Sequence, residues 1–357
     1  MTKYPYHSSH MENSDGPGSS SEIGYALRSA TVMKIGARLQ MNHRISPATA
    51  LLLTIPPLLW ASNAIVGRMV SGLMPPVTLN FLRWAIAFLI LLPLAPSVFR
   101  RGSGLGTHWP RFAVLGLLGI GLYNALQYLA LQSSTPINVT LVAASMPAWM
   151  LLTGWLFFNG GISRKEVIGA ALSITGVVLV LSRGEWRHLL ELRLVPGDIL
   201  MLLAAIAWSF YSWLLIQSSD PVALRANWAA FLLAQVAYGV VWSGLFAAGE
   251  WAVTTPHIVW SWPVAAAVLF VAAGPGVIAF RCWGAGVQRA GPNVAAFFSN
   301  LTTLFAALMS SAFLGELPHL YHAAAFALIV GGILVSSRRQ KLLLPFQGGG
   351  REGDGSQ

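Results

Sequence analysis

The chain has 357 residues, of which 55% are hydrophobic and 10% charged, with a formal net charge of +10. Soluble domains carry about 25% charged residues, so this composition excludes a water-soluble fold, which would lack the polar surface to cover itself. It also argues against nucleic acid as a partner, because Lys and Arg are scattered between apolar stretches and do not gather on one basic face.

Residues 1–45 contain a Ser/Gly-rich run between Ser14 and Glu22 and no apolar core of a signal peptide, which predicts a disordered cytoplasmic tail. Met33 and Met41 are alternative starts within it. Ten apolar stretches follow, at 48–69, 77–97, 112–132, 138–158, 166–182, 198–217, 226–248, 263–287, 293–314 and 320–337. Each is near the roughly 20 residues that a helix needs to cross a bilayer. They are continuously apolar and not alternating, which selects helices over a β-barrel. The predicted fold is therefore an all-α membrane protein of ten transmembrane helices, with the lipid bilayer as a partner. No Asp or Glu falls in mid-span, and the single cysteine, Cys282, has no disulfide partner in the chain.

Orientation follows from the basic residues, since positively charged loops resist translocation. One side receives Lys34, Arg38, Arg44, Arg100, Arg101, Arg111, Arg164, Lys165, Arg225, Arg289, Arg338, Arg339 and Lys341; the other receives Arg68, Arg183, Arg187 and Arg193. This predicts an inner-membrane protein with both termini in the cytoplasm.

Residues 121–182 align with 276–337 without a gap, and twelve positions coincide, among them Gly121/Gly276, Asn138/Asn293, Phe158/Phe313, Gly160/Gly315 and Gly176/Gly331. Coincident Asn and Gly between apolar runs are harder to obtain by chance than Leu on Leu. The expected organisation is a first five-helix repeat over 46–183, an extracytoplasmic linker over 184–197, a second repeat over 198–337 and a cytoplasmic tail over 338–357. Five spans per unit is an odd number, so the second copy enters the membrane from the opposite side. Such 5+5 inverted repeats suit alternating access to a midplane site.

Short motifs point the same way. Leu59-Trp-Ala-Ser-Asn63 with Arg68, the stretch 76–83, Gly291-Pro-Asn-Val-Ala-Ala-Phe-Phe-Ser-Asn-Leu-Thr302 and Phe313-Leu-Gly-Glu316 stand in order along the chain. In these the chain resembles the drug/metabolite transporter superfamily, and within it the EamA-type transporters of two EamA repeats, over about residues 48–337. The resemblance implies export or exchange of small metabolites, often amino acids or their relatives, by alternating access without ATP. Two positions depart from the family pattern: Gly161 aligns with Glu316, and Thr302 and Thr303 stand where a proline is expected, although Pro147 is kept in the fourth span.

A charge inside a bilayer costs about 2.5 to 3.5 kcal/mol at a helix centre, so intramembrane charges are candidate functional groups. Arg281, about two turns inside the eighth span, is expected to face a central cavity and pair with a substrate carboxylate, with a structural pairing as the alternative. Arg83, near Asn80 and Trp84, lies closer to a helix end, where snorkelling or a structural contact is expected. Glu316 is expected to anchor the loop before the tenth span, with gating as the lesser role, and Pro147 belongs with it among structural positions. Asn63, Asn124, Gln127, Tyr211 and Asn300 are polar residues near mid-depth that line a wet cavity or bond between helices. Trp60, Tyr123, Trp208 and Trp283 would supply aromatic walls to such a site. No phosphate-binding loop, His-Glu-x-x-His helix or Cys cluster occurs, so neither a cofactor nor a metal is expected.

The expected function is secondary transport of a small polar or anionic metabolite, such as an amino acid or related compound. An integral-membrane enzyme acting on a lipid-linked or small-molecule substrate in the central cavity is the alternative. Coupling to a proton, to another ion or to none is left open by the absence of a deep carboxylate.

Overall fold

The computed structural model describes residues 45–337 apart from 71, 135, 186, 191–194, 218–219, 256 and 315–319, and its regular elements are all helical. In chain order the main ones are α1 (Pro47–Met69), α2 (Pro76–Leu91), α3 (Trp109–Ser133), α4 (Pro136–Ala144), α5 (Met146–Phe157), α6 (Arg164–Leu181) and α7 (Pro196–Leu214). They continue with α8 (Trp228–Val253), α9 (Trp262–Ala290), α10 (Pro292–Ser299), α11 (Leu301–Leu314) and α12 (Leu320–Ser336). Among the described residues seven helices are long and apolar enough to cross a membrane, the seventh being the run Pro292–Met309; Met146–Phe157 and Leu320–Ser336 are shorter apolar helices. Leu51, Leu89, Val167, Ile199 and Val241 point outward, as the lipid-facing side of a bundle requires.

Helix starts follow from local chemistry. Proline occupies the first or second position of α2, α3, α5, α7, α9 and α10, where a missing N–H costs nothing. Ser163 and Glu166 form a reciprocal capping box on α6, with bonds of 3.1 and 2.9 Å. Asp198 takes the backbone N–H of Val195 at 2.9 Å at the start of α7 and is also bonded by the Ser134 hydroxyl.

Two expected spans are broken. The stretch 138–158 divides at Ser145 into α4 and α5, and the stretch 293–314 divides at Asn300 into α10 and α11. Ser145 and Asn300 occupy equivalent places in the aligned repeat. Pro147 explains the first break, since it offers no N–H to continue the ladder; the second occurs without a proline. Two further irregularities are π-helical turns inside long helices, Leu117–Leu122 in α3 and Ala272–Ile278 in α9, and they contain Gly121 and Gly276 respectively. Pro275 removes a backbone donor within the second turn.

The helices pack in pairs. α6 lies along α12, α2 along α8, α3 along α7, and α1 along the second part of α9; α1 also contacts α11 as α7 contacts α5. Glycine allows the closest approaches. A Cβ on Gly169 would stand 2.7 Å from the Gly332 carbonyl oxygen and one on Gly332 would stand 2.6 Å from that of Gly169, so no side chain fits at either.

Candidate functional site

A cleft of about 270 Å³ runs between α7, α8 and α9, with its mouth at the end of the bundle that carries Arg225 and Arg289. Arg281, Gly284 and Gln288 share one face of α9 and line it; Gln235 and Tyr211 stand deeper, with the Tyr211 hydroxyl donating to Gln235 Oε1 at 3.0 Å. Arg281 is half-buried and lies 5.2 Å over the ring of Trp228, which also lines the cleft.

Phe280 lines the cleft and belongs to a layer of aromatic rings drawn from five helices. Trp208 on α7 is at its centre, with ring centroids 5.3 Å from Trp60 of α1, 4.8 Å from Tyr123 of α3, 5.0 Å from Tyr211 of α7, and 5.4 and 5.5 Å from Phe280 and Trp283 of α9. Trp84 of α2 meets Phe280 edge-on at 4.8 Å. These separations and the mostly tilted or T-shaped geometry suit the ring quadrupoles. The Trp283 indole N–H donates to Ser212 Oγ at 3.2 Å, while Nε1 of Trp84 and of Trp208 are buried without a hydrogen-bond partner.

Against this layer stands a polar cluster on α2 and α3. Arg83 is fully buried; its guanidinium donates to Asn124 Oδ1 at 3.2 Å and to the Pro275 carbonyl at 3.0 Å, and lies 5.1 Å from the Trp84 ring centroid. Asn80, one turn earlier, donates to the Ile120 carbonyl at 3.2 Å. Asn63 Nδ2 approaches the Tyr128 hydroxyl at 3.4 Å. Several atoms here are buried without a partner: Arg83 Nε, Asn124 Nδ2, and the carbonyl oxygens of Asn63 and Asn80.

At the far end of the bundle the described residues pack apolar side chains together. Val70 and Met74, with Leu79 of α2 and Val264, Val268 and Val271 of α9, form a buried apolar cluster, and the Val259 N–H donates to the Leu73 carbonyl at 2.8 Å.

The sequence-derived candidates thus divide. Trp60, Tyr123, Trp208, Tyr211 and Trp283 come together in the aromatic layer, and Asn63 and Asn124 join the polar cluster beside it. Arg281 lines the cleft toward its mouth and does not enter that cluster. Arg83 does not snorkel, because its whole side chain is enclosed. Asn300 bonds the Ala144 carbonyl at 3.3 Å and Ser173 Oγ at 2.9 Å, which makes it an interhelical tie between α6 and the break before α11. Gln127 is half-buried on α3 and outside the cleft lining, Pro147 is buried in the first turn of α5, and Glu316 lies outside the described residues. Phe280, Trp228 and Gln235 were not among the candidates. Gln235 carries the same signal as the chosen amides, an uncharged polar residue inside an apolar stretch; Phe280 and Trp228 carry none that separates them from packing aromatics.

Comparison with known proteins adds a consistent picture. Residues 48–182 and 195–338 each match the model of the EamA-like transporter family. An uncharacterized transporter of Archaeoglobus fulgidus is 25% identical over 294 residues, covering 82% of this chain and 98% of its own. The aromatic amino acid exporter YddG of Ancylobacter novellus is 26% identical over 284 residues, covering 78% and 93%. The uncharacterized inner membrane transporter YedA of Escherichia coli K12 is 25% identical, covering 72% and 80%. A solved crystal structure superposes with a TM-score of 0.64 at 25% identity, covering 82% of this chain and 96% of that one.

Proposed function

We propose that this chain, which belongs to the EamA-like transporter family, is a secondary transporter that carries a small polar or anionic metabolite across the inner membrane by alternating access. The observation that carries this reading is the blind cleft: it enters from the basic end and stops at an aromatic layer backed by buried polar atoms that lack partners. A path that is open at one end, closed by apolar packing at the other and polar between them is what one state of such a carrier requires.

The two halves support a 5+5 inverted repeat. The family matches twice, and the irregular features recur at equivalent places: the π turns that contain Gly121 and Gly276, and the breaks at Ser145 and Asn300. The pairing of helices is also reciprocal. If α1 to α6 form one half and α7 to α12 the other, α1 against α9 answers α7 against α3, while α2 with α8 and α6 with α12 pair across the halves. The excess of basic residues at the cleft mouth supports reading that end, and both termini, as cytoplasmic, in which case the cleft opens inward. A related protein that exports aromatic amino acids favours a substrate with a planar apolar body and charged groups.

The test is flux. Proteoliposomes loaded with a mixture of radiolabelled amino and aromatic acids are expected to release a subset faster than protein-free liposomes. Retention of every compound would sink the transport reading, and conversion of a compound into a new product would favour an enzyme working in the same cavity.

A further inference from the structure

Resting on the transport reading, the geometry points to Arg83 as the site at which an anionic group of the substrate binds, and we propose that this group is a carboxylate attached to an apolar or planar body. Arg83 is fully buried, seven residues into α2, about 10 Å from its start. A guanidinium held there needs a counter-charge or a full set of acceptors. Its hydrogen bonds reach the oxygens of Asn124 and Pro275, the Tyr128 hydroxyl also interacts with it, and Nε has no partner, so no carboxylate answers its charge. The ion pairs found among the described residues, Arg111 and Arg225 with Asp220, lie elsewhere, at the basic end.

Unpartnered donors that an anion could accept from stand around the guanidinium, beside the unpartnered carbonyl oxygens of Asn63 and Asn80. Asn124 Nδ2 and Trp84 Nε1 are also buried donors without partners, and each belongs to a residue in contact with Arg83. Trp208 Nε1 adds a further unpartnered donor in the adjoining aromatic layer. A carboxylate matches the Nε edge of a guanidinium as a two-oxygen acceptor. Trp84, Phe280 and Trp208 supply the apolar wall against which the rest of such a molecule would lie.

The same residue is placed to report occupancy to the fold. Arg83 holds the Pro275 carbonyl in the π turn of α9, and Asn80, one turn away, holds the Ile120 carbonyl in the π turn of α3. These two carbonyls precede Gly121 and Gly276 and are equivalent in the repeat. A carboxylate that draws the guanidinium toward itself competes with the Pro275 carbonyl, so binding loosens the irregular turn about which α9 bends.

The experiment measures binding of phenylacetate, its neutral isostere phenylacetamide and benzylamine to purified protein by thermal shift and equilibrium titration. Wild type is expected to bind the acid at least about tenfold more tightly than the amide and to show no binding of the amine. Arg83→Gln should bring the acid-to-amide ratio near one, Arg83→Lys should leave it intermediate, and Arg281→Gln should retain it. Equal binding of acid and amide by wild type, an unchanged ratio in folded Arg83→Gln, or loss of the ratio in Arg281→Gln overturns the proposal. The wild-type and Arg281→Gln arms decide it even where Arg83→Gln fails to fold. Absence of flux with the ratio intact would remove the transport reading and leave the anion site; flux without acid preference would do the reverse.

Discussion

Glu250 lies in the last turn of α8, yet its carboxylate serves another helix. It accepts from the backbone N–H groups of Val77 and Thr78 at 3.0 and 2.8 Å and from the Thr78 hydroxyl at 2.7 Å, so it caps α2, which has no side-chain cap of its own. A carboxylate at a helix N-terminus also meets the positive end of the helix dipole. Glu250→Ala is expected to destabilise the protein by about 1 to 2 kcal/mol, with Glu250→Gln losing less because its amide oxygen still accepts; thermal unfolding in detergent checks both. Asp220 presents a second case, bonded by Arg111 and Arg225 with its own side chain fully buried. Asp220→Ala should cost about 2 to 3 kcal/mol, at or below the range for wholly enclosed pairs, because the two arginines stay 14% and 29% exposed and water relieves part of the uncompensated charge. The residue types at the candidate site were legible in the sequence, since Asn, Arg and Trp stand out among aliphatic neighbours. Their depth was not. Arg281 and Arg83 each stand six residues from the nearer end of their apolar stretches, yet burial depends on which neighbours surround a side chain. α3 and the π turn of α9 enclose Arg83, while a cleft leaves Arg281 half-open.

At the scale of elements, hydropathy located the helices and missed their interruptions. A transfer scale counts apolar side chains over a window, and the breaks at Ser145 and Asn300 alter hydrogen bonding without altering that count. The π turns are invisible to it for the same reason, although Pro275 between two glycines marks one of them. Packing between elements is set by the smallest residues. In lipid there is no hydrophobic gain on bringing helices together, so close van der Waals contact and interhelical bonds hold them. The reciprocal approach of Gly169 and Gly332 depends on both lacking a Cβ. Gly332→Ala is therefore expected to push α12 from α6 and lower the midpoint of thermal unfolding, and Gly332→Leu to prevent the pairing. Because the obstacle is a backbone carbonyl on each side, combining Gly169→Ala with Gly332→Ala should add little to either alone, a departure from additivity that a double-mutant cycle reads directly.

For the whole molecule, α9 is the helix that touches both ends of the path. Val264, Val268 and Val271 near its start belong to the apolar seal, Gly284 and Gln288 near its end line the cleft, and the π turn at Ala272–Ile278 lies between. In the proposed alternating access, a rigid rotation of α9 would move seal and cleft in a fixed ratio, whereas an irregular turn would let one close before the other opens. This predicts an accessibility pattern in a Cys282→Ser background, where the buried native thiol no longer contributes. Gln288→Cys, exposed at the cleft mouth, should react with a membrane-impermeant maleimide applied to the basic face, and Met74→Cys, buried in the seal, should resist reagent from either face. A transported compound should slow the first reaction and speed the second from the opposite face. Pro275→Ala restores a donor to the turn and favours a regular helix there. It is expected to slow flux and the exchange of maleimide reactivity by more than it changes compound binding, which the bond from Arg83 to the Pro275 carbonyl couples to the turn. An equal loss in binding and flux would instead make Pro275 part of the binding surface, and unchanged rates would show that the turn is not where α9 bends.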